Sequence, residues 1–161
     1  PEKIEQDLLK IIPKEYISQQ PSEFKKWADV LISKCDFVNN EKGSHFIVHA
    51  IINVCSACQR FPGQLYWPTI EVADILEELT TKLNNDRNQI ASAFACDVSN
   101  RRGIRTIKDG NPEFVLRDEY LKCADFYKFT HNITYRALKM IASDYDSQGK
   151  NDKIRFDLGI Y

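Results

Sequence analysis

The sequence has no long apolar run and no excess of charge of either sign. Its longest apolar stretch, residues 46–58, is interrupted by one histidine, one asparagine and one serine, so it is too short and too polar to span a bilayer. Lys and Arg number 22, against 23 Asp and Glu, which argues against a protein that binds polyanions through bulk charge. We therefore expect no membrane partner, and any contact with nucleic acid must be local.

The sequence also lacks a disulfide framework. Its five cysteines are an odd number and have no regular spacing, which is typical of reduced thiols in a cytosolic or nuclear protein. The N-terminal residues do not show the basic segment followed by an apolar segment that marks a secretion signal. These features predict an intracellular protein, cytoplasmic or nuclear.

The motifs of common catalytic sites are missing as well. No glycine-rich phosphate loop and no nucleophile elbow occurs, and the cysteines lie in apolar contexts where they act as small core residues. We therefore predict that the chain is not an enzyme and binds no cofactor. A nucleophilic cysteine paired with one of the histidines stays open from the sequence alone.

Two histidines and two cysteines have the pair spacings of a zinc site. They are His45 and His49, followed by Cys55 and Cys58. Successive residues of an α-helix turn by about 100 degrees, so on one straight helix the cysteines point away from the side that carries the histidines. We predict no metal.

Apolar residues recur at three- and four-residue spacing through most of the chain, which predicts a mainly α fold. The predicted helices are 4–12, 22–35, 44–60, 70–83 and 86–102, then two helices within 118–145 that are separated near 130–132. Turn-forming residues divide the chain into an N-terminal helical arm, a core, and a C-terminal region with helices and a terminal strand. These parts are residues 1–43, 44–117 and 118–161.

Two segments favour β-structure instead. Residues 104–116 hold an Asp109-Gly110 turn between apolar runs, which is a strong hairpin signal, although Pro112 must then sit at a strand start or an edge. Near the C-terminus, apolar and polar residues alternate strictly, which predicts a half-buried strand. The alternating apolar residues are Ile154, Phe156, Leu158 and Ile160.

Residues 44–116 follow the order helix, short aromatic strand at 64–67, helix, turn, helix and hairpin. The motifs that carry this order are Tyr66-Trp67, Val72-Ala73-Asp74-Ile75-Leu76, Gly103-Ile104-Arg105 and Lys108-Asp109-Gly110-Asn111. The segment resembles the winged helix-turn-helix superfamily. The resemblance implies a winged helix-turn-helix core with a small β-hairpin wing at 104–116, flanked by N-terminal and C-terminal helices and the terminal strand.

The resemblance also implies that residues 86–102 form a recognition helix, which enters a major groove while the wing contacts the backbone. With Ile90, Phe94 and Val98 facing inward, the outward amides and hydroxyls suit base edges and the neighbouring cations suit phosphates. The implied nucleic-acid-binding residues are Arg87, Gln89, Ser92, Ser99, Asn100, Arg101, Arg102, Arg105 and Lys108. The leading hypothesis is a module of a regulatory or genome-maintenance protein that binds double-stranded DNA.

Two alternatives remain open from the sequence. The charges can belong to an ordinary solvated surface, with Arg101 and Arg102 paired to Asp97 or Glu113. The near-neutral chain also fits a non-enzymatic protein-interaction or dimerisation module, in which the winged helix or the terminal strand docks a protein partner or a second copy.

Overall fold

A computed structural model describes residue 17 and residues 19–35, 41–58, 66–83, 86–102 and 109–160. Within these ranges the chain forms six helices and no strand, which confirms the mainly α prediction. The helices are α1 (Pro21–Cys35), α2 (Glu41–Ser56), α3 (Ile70–Leu83), α4 (Arg87–Asn100), α5 (Asn111–Tyr127) and α6 (Asn132–Asp157). None of these described helices combines the length and the apolar character that crossing a bilayer requires.

Local capping signals explain where α3 and α4 begin. The Thr69 hydroxyl accepts a hydrogen bond from the backbone N–H of Val72 at 3.4 Å, and the Asp86 carboxylate accepts one from the N–H of Asn88 at 2.6 Å. Such side chains satisfy donors that the first turn of a helix leaves without a helical partner. Both helices lie in the ranges that the apolar spacing predicts.

The last two helices form an antiparallel hairpin. Gly110, which precedes α5, lies against Gly149 near the end of α6, and Tyr120 stacks on Tyr145 with ring centroids 5.5 Å apart. Helix α4 packs against α6 and α2, and α1 packs against α3. The side chains between these helices form one apolar core.

Trp67 joins the segment before α3 to this core. Its ring lies 5.9 Å from that of Phe94 and 5.7 Å, edge-on, from that of Tyr120, and its indole N–H donates to the Cys58 carbonyl at 3.2 Å. Residues 66–68 form a bend, so the predicted aromatic strand is wrong in this part. Residues 64 and 65 lie outside the described residues.

The predicted β-hairpin wing is wrong. Its first arm and Gly103 lie outside the described residues, but its second arm, residues 113–116, belongs to the first turns of α5. Gly110, with φ 83°, is the N-cap of α5, and Pro112 lies in the first helical turn, where the missing N–H of proline has no partner to lose. An Asp-Gly pair is compatible with a hairpin turn and with the start of a helix. Pro112 favours the helix, because proline is well tolerated in the first helical turn. The winged-helix fold is thereby overturned.

The predicted C-terminal strand is also wrong, because α6 continues to Asp157. Gly159 follows the helix with φ 68°. Its N–H donates to the Phe156 carbonyl at 3.0 Å, and the N–H of Ile160 donates to the Arg155 carbonyl at 2.9 Å, which is a Schellman motif. These bonds satisfy the last helical carbonyls, so this segment does not need a sheet edge.

The helix break predicted near residues 130–132 is confirmed, but the predicted cap is not. His131 rather than Asn132 is the N-cap of α6, and it makes no side-chain capping bond. The Glu77 carboxylate, from α3, accepts a hydrogen bond from the N–H of Ile133 at 2.6 Å. A carboxylate near a helix N-terminus is favourable, so a side chain distant in sequence supplies the cap. The helix predicted at 4–12 lies outside the described residues.

Candidate nucleic-acid interface

Helix α4 buries one side and exposes the other. Ile90, Phe94 and Val98 are buried, which confirms the inward face that the spacing predicts. Positions three and four apart share one side of a helix, so the exposed residues form a stripe along α4. These residues are Gln89, Ser92, Cys96 and Asn100.

The N-terminal end of α4 is open to solvent. Arg87, Asn88 and Gln89 are all exposed there. Only residues 84–86 separate α3 from α4, yet α4 packs mainly against α2 and α6 and contacts α3 little. Two consecutive helices joined by a short connection are also the elements of a helix-turn-helix unit.

Arg136, from α6, adds a second guanidinium to this end of α4. It is exposed, and its Nη1 donates to the side-chain oxygen of Asn88 at 2.5 Å. The sequence did not point to Arg136, because apolar spacing predicts which side of a helix is buried but not which distant helix lies against it. The one acidic residue at the start of α4 is Asp86, whose carboxylate caps the helix.

Arg101 binds within the chain. Its Nε donates to the Ser56 hydroxyl at 2.7 Å, and its Nη2 donates to the backbone carbonyl of Asn53 at 2.6 Å. Asn53 and Ser56 lie in the last turn of α2, where carbonyls lack helical partners. Arg101 thus ties the end of α2 to the end of α4, a role that the sequence-based assignment to phosphate did not include.

Arg102 also binds within the chain. Its Nη2 donates to the Glu113 carboxylate at 2.6 Å and its Nη1 to the side-chain oxygen of Gln148 at 3.2 Å, while the guanidinium lies 4.7 Å from the centroid of the Tyr145 ring. The Glu113 side chain is only 3% exposed. The ion pair between Arg102 and Glu113 that the sequence left open is therefore present.

The other predicted nucleic-acid-binding residues toward the end of α4 and beyond it differ in exposure. Ser99 is half-buried. Asn100 is exposed, and its amide donates to the Cys96 sulfur at 3.5 Å. Arg105 and Lys108 lie outside the described residues. Arg87, Gln89 and Ser92 are thus exposed in the first half of α4, whereas Arg101 and Arg102 are bound into the fold beyond its other end.

Of the four candidate metal ligands, the structure describes the side chains of His49, Cys55 and Cys58, and the His45 side chain lies outside the described part. No group of three or more metal-ligating side chains occurs in the parts of the chain that the structure describes. Cys55 and Cys58 are buried, and burial raises the pKa of the Cys55 thiol. A thiol that stays protonated is a poor nucleophile and a poor metal ligand. That the chain is not an enzyme stays a prediction.

The chain matches no protein family, no curated protein and no solved structure at a significant level. Because residues 113–116 are helical rather than part of a wing, what remains of the resemblance to winged helices is the order of α2, α3 and α4. The function has to be argued from the geometry of α4 itself.

Proposed function

We propose that the chain is a DNA-binding module that contacts duplex DNA through the N-terminal half of α4. One observation carries the proposal: Arg87, Gln89 and Ser92 are exposed at the start of a helix that follows α3 after a three-residue connection and contacts α3 little. In helix-turn-helix proteins the first turns of the second helix contact base edges in the major groove. This mode of binding needs no wing.

The exposed side chains have the chemistry that such a contact requires. The Gln89 amide can donate to and accept from adenine in the major groove, and the Ser92 hydroxyl can bond to any base pair. The guanidinium groups of Arg87 and Arg136 suit phosphate oxygens, which hold a protein in register on the duplex. With about two phosphates neutralised, log K is expected to fall with log salt concentration with a slope near −2.

Reversing the charge of Arg87 and Arg136 tests the proposal. In the Arg87→Glu/Arg136→Glu variant we expect DNA affinity to fall by at least about tenfold for each arginine, because each charge-assisted bond is replaced by repulsion. Fluorescence anisotropy of a labelled duplex, titrated at low salt and then at rising salt, measures both the affinity and its salt slope. A wild-type chain that binds no duplex at low salt would remove the proposal.

A matched control separates a local contact from a simple change of net charge. The Lys26→Glu/Lys122→Glu variant changes the net charge equally, and both lysines are exposed on other helices, α1 and α5. We expect this control to keep wild-type affinity within about twofold at moderate salt, where distant charges are screened. Equal losses in both variants would contradict a site at α4.

Arg101 distinguishes a structural arginine from a DNA-binding one. In Arg101→Gln the bonds to the last turn of α2 are lost, so we expect the free energy of unfolding to fall by about 1–3 kcal/mol. Urea denaturation measures this change. The anisotropy titration of the folded variant should give the wild-type DNA affinity. A loss of DNA affinity without a loss of stability would mean that Arg101 does contact DNA.

A further inference from the structure

Arg136 is an exposed residue of α6 whose side chain is held by α4. Its Nη1 donates to the side-chain oxygen of Asn88 at 2.5 Å. A guanidinium group can only donate hydrogen bonds, so the amide oxygen of Asn88, and not the amide nitrogen, must face it. Asn88 lies in the first turn of α4, where its backbone N–H donates to the Asp86 carboxylate at 2.6 Å. Arg136 is therefore bound to the capped first turn of α4.

This hydrogen bond does not compensate the charge of Arg136, because the acceptor is a neutral amide. Arg102 and Arg117 differ, since each forms an ion pair with a carboxylate, which competes with any other anion for the guanidinium. A guanidinium has five N–H donors, and Asn88 accepts from one of the two terminal nitrogens of Arg136. Arg136 thus keeps its charge and most of its donors for an anion.

Helices α4 and α6 run side by side in the same direction. Asn88, at the start of α4, binds Arg136 near the start of α6, and Arg102, just after α4, binds Gln148, twelve residues after Arg136. A major groove is about 12 Å wide, and packed helices lie about 8–10 Å apart. When α4 lies in the groove, α6 therefore lies near the phosphate strand that borders it.

A side chain that is ordered before binding loses less conformational freedom when its ligand binds. Arginine has a long side chain with a large conformational entropy, and immobilising such a side chain at an interface weakens binding. We infer that Asn88 is a positioning residue, which holds the Arg136 guanidinium in place for a phosphate of duplex DNA without neutralising it. This role rests on the proposed function, and Asn88 acts through Arg136 rather than by contacting DNA.

A double-mutant cycle between Asn88 and Arg136 tests this role. In Asn88→Ala the guanidinium keeps its charge but loses its hydrogen bond, so we expect duplex affinity to fall by about threefold to tenfold and the salt slope to stay near −2. In Arg136→Gln the charge is lost, so affinity should fall by about tenfold and the slope should be near −1. Adding Asn88→Ala to Arg136→Gln should cost less than about twofold, because no guanidinium remains to be positioned. Fluorescence anisotropy at rising salt measures all three variants.

Asn151→Ala is the matched control. Asn151 is an exposed asparagine of the same helix, α6, and lies about 22 Å from Arg136 along the helix axis. This variant should keep wild-type affinity within about twofold. Urea denaturation should show Asn88→Ala to be as stable as the wild type, because alanine has a higher helix propensity than asparagine.

The outcomes separate this role from the proposed function. Additive losses in the cycle would mean that Asn88 contacts DNA itself, and a loss of stability together with affinity in Asn88→Ala would mean that Asn88 is structural. Either result would overturn the positioning role and leave the DNA-binding proposal standing. A wild-type chain that binds no duplex would remove both.

Discussion

Replacing Gly110 with alanine is expected to lower the free energy of unfolding by about 2–5 kcal/mol. Gly110 has φ 83°, and a Cβ built there would lie under 3.0 Å from the backbone oxygen of Gly149. A non-glycine residue in this left-handed region loses about 1–2 kcal/mol, and overpacking adds about 1–3 kcal/mol. Because a backbone oxygen cannot rotate away, α5 and α6 must separate. Urea denaturation followed by circular dichroism measures the change.

Gly159→Ala is the control that isolates backbone strain. Gly159 also has a left-handed φ, 68°, but nothing lies within 4 Å of a Cβ placed there. We expect this variant to lose only the strain, about 1–2 kcal/mol. If Gly110→Ala were no more destabilising than Gly159→Ala, the close approach of Gly110 to Gly149 would have no energetic role.

Gly149→Ala probes the same helix contact from the other side. A Cβ at Gly149 would lie 2.8 Å from the edge of the Phe114 ring, which is the outer part of a side chain that can move. Alanine also favours the interior of a helix over glycine by about 1 kcal/mol. The two effects oppose each other, so the expected net change is under about 1.5 kcal/mol in either direction, and calorimetry should show a small shift in Tm.

Features that depend on residues close together in the sequence can be predicted from it, and features that depend on distant residues cannot. The apolar face of α4 at Ile90 and Phe94 and the Asp86 cap involve residues within one or two turns, and spacing alone predicts them. The cap of α6 depends on Glu77, 56 residues from Ile133. No local pattern distinguishes such a carboxylate from one that faces solvent.

Two of the predicted β-segments, the wing and the C-terminal strand, are wrong for different physical reasons. At Asp109-Gly110 the left-handed glycine is real, but it begins a helix, and Pro112 lies in the first helical turn, where proline is favoured. In residues 154–160, the alternation is real but the side chains are exposed on both sides of a helix. Extending a helix that already has over twenty residues is more favourable than starting a strand, because helix formation is cooperative. A short alternating pattern does not change this.

The candidate site was predicted in part. Gln89 and Ser92 are exposed on the side of α4 opposite Phe94, where the spacing places them, and Arg87 is exposed as the first residue of the helix. Arg101 and Arg102 looked alike in the sequence, since both are cations after a helix, but the acceptors that bind them come from α2, α5 and α6. Charge counted along a sequence cannot separate an arginine bound by its own fold from one open to a ligand.

Breaking the ion pair between Arg102 and Glu113 is expected to lower the free energy of unfolding by about 3–5 kcal/mol for either single variant, Arg102→Met or Glu113→Leu. The two side chains are 23% and 3% exposed, and Nη2 lies 2.6 Å from Oε1. Removing one partner leaves the charge of the other poorly compensated in the fold. Urea denaturation of each variant measures the loss, and Lys26→Ala, which breaks the exposed pair with Glu23, should lose no more than about 0.5 kcal/mol.

The Arg102→Met/Glu113→Leu double variant shows whether the pair acts as a unit. Replacing a buried ion pair by apolar residues of similar size is often neutral, so the double variant should lose less than about 2 kcal/mol, well below the sum of the single losses. The double variant should also keep wild-type DNA affinity. Additive losses would mean that Arg102 and Glu113 contribute through separate contacts, whereas weaker DNA binding with full stability would mean that Arg102 reaches the duplex after all.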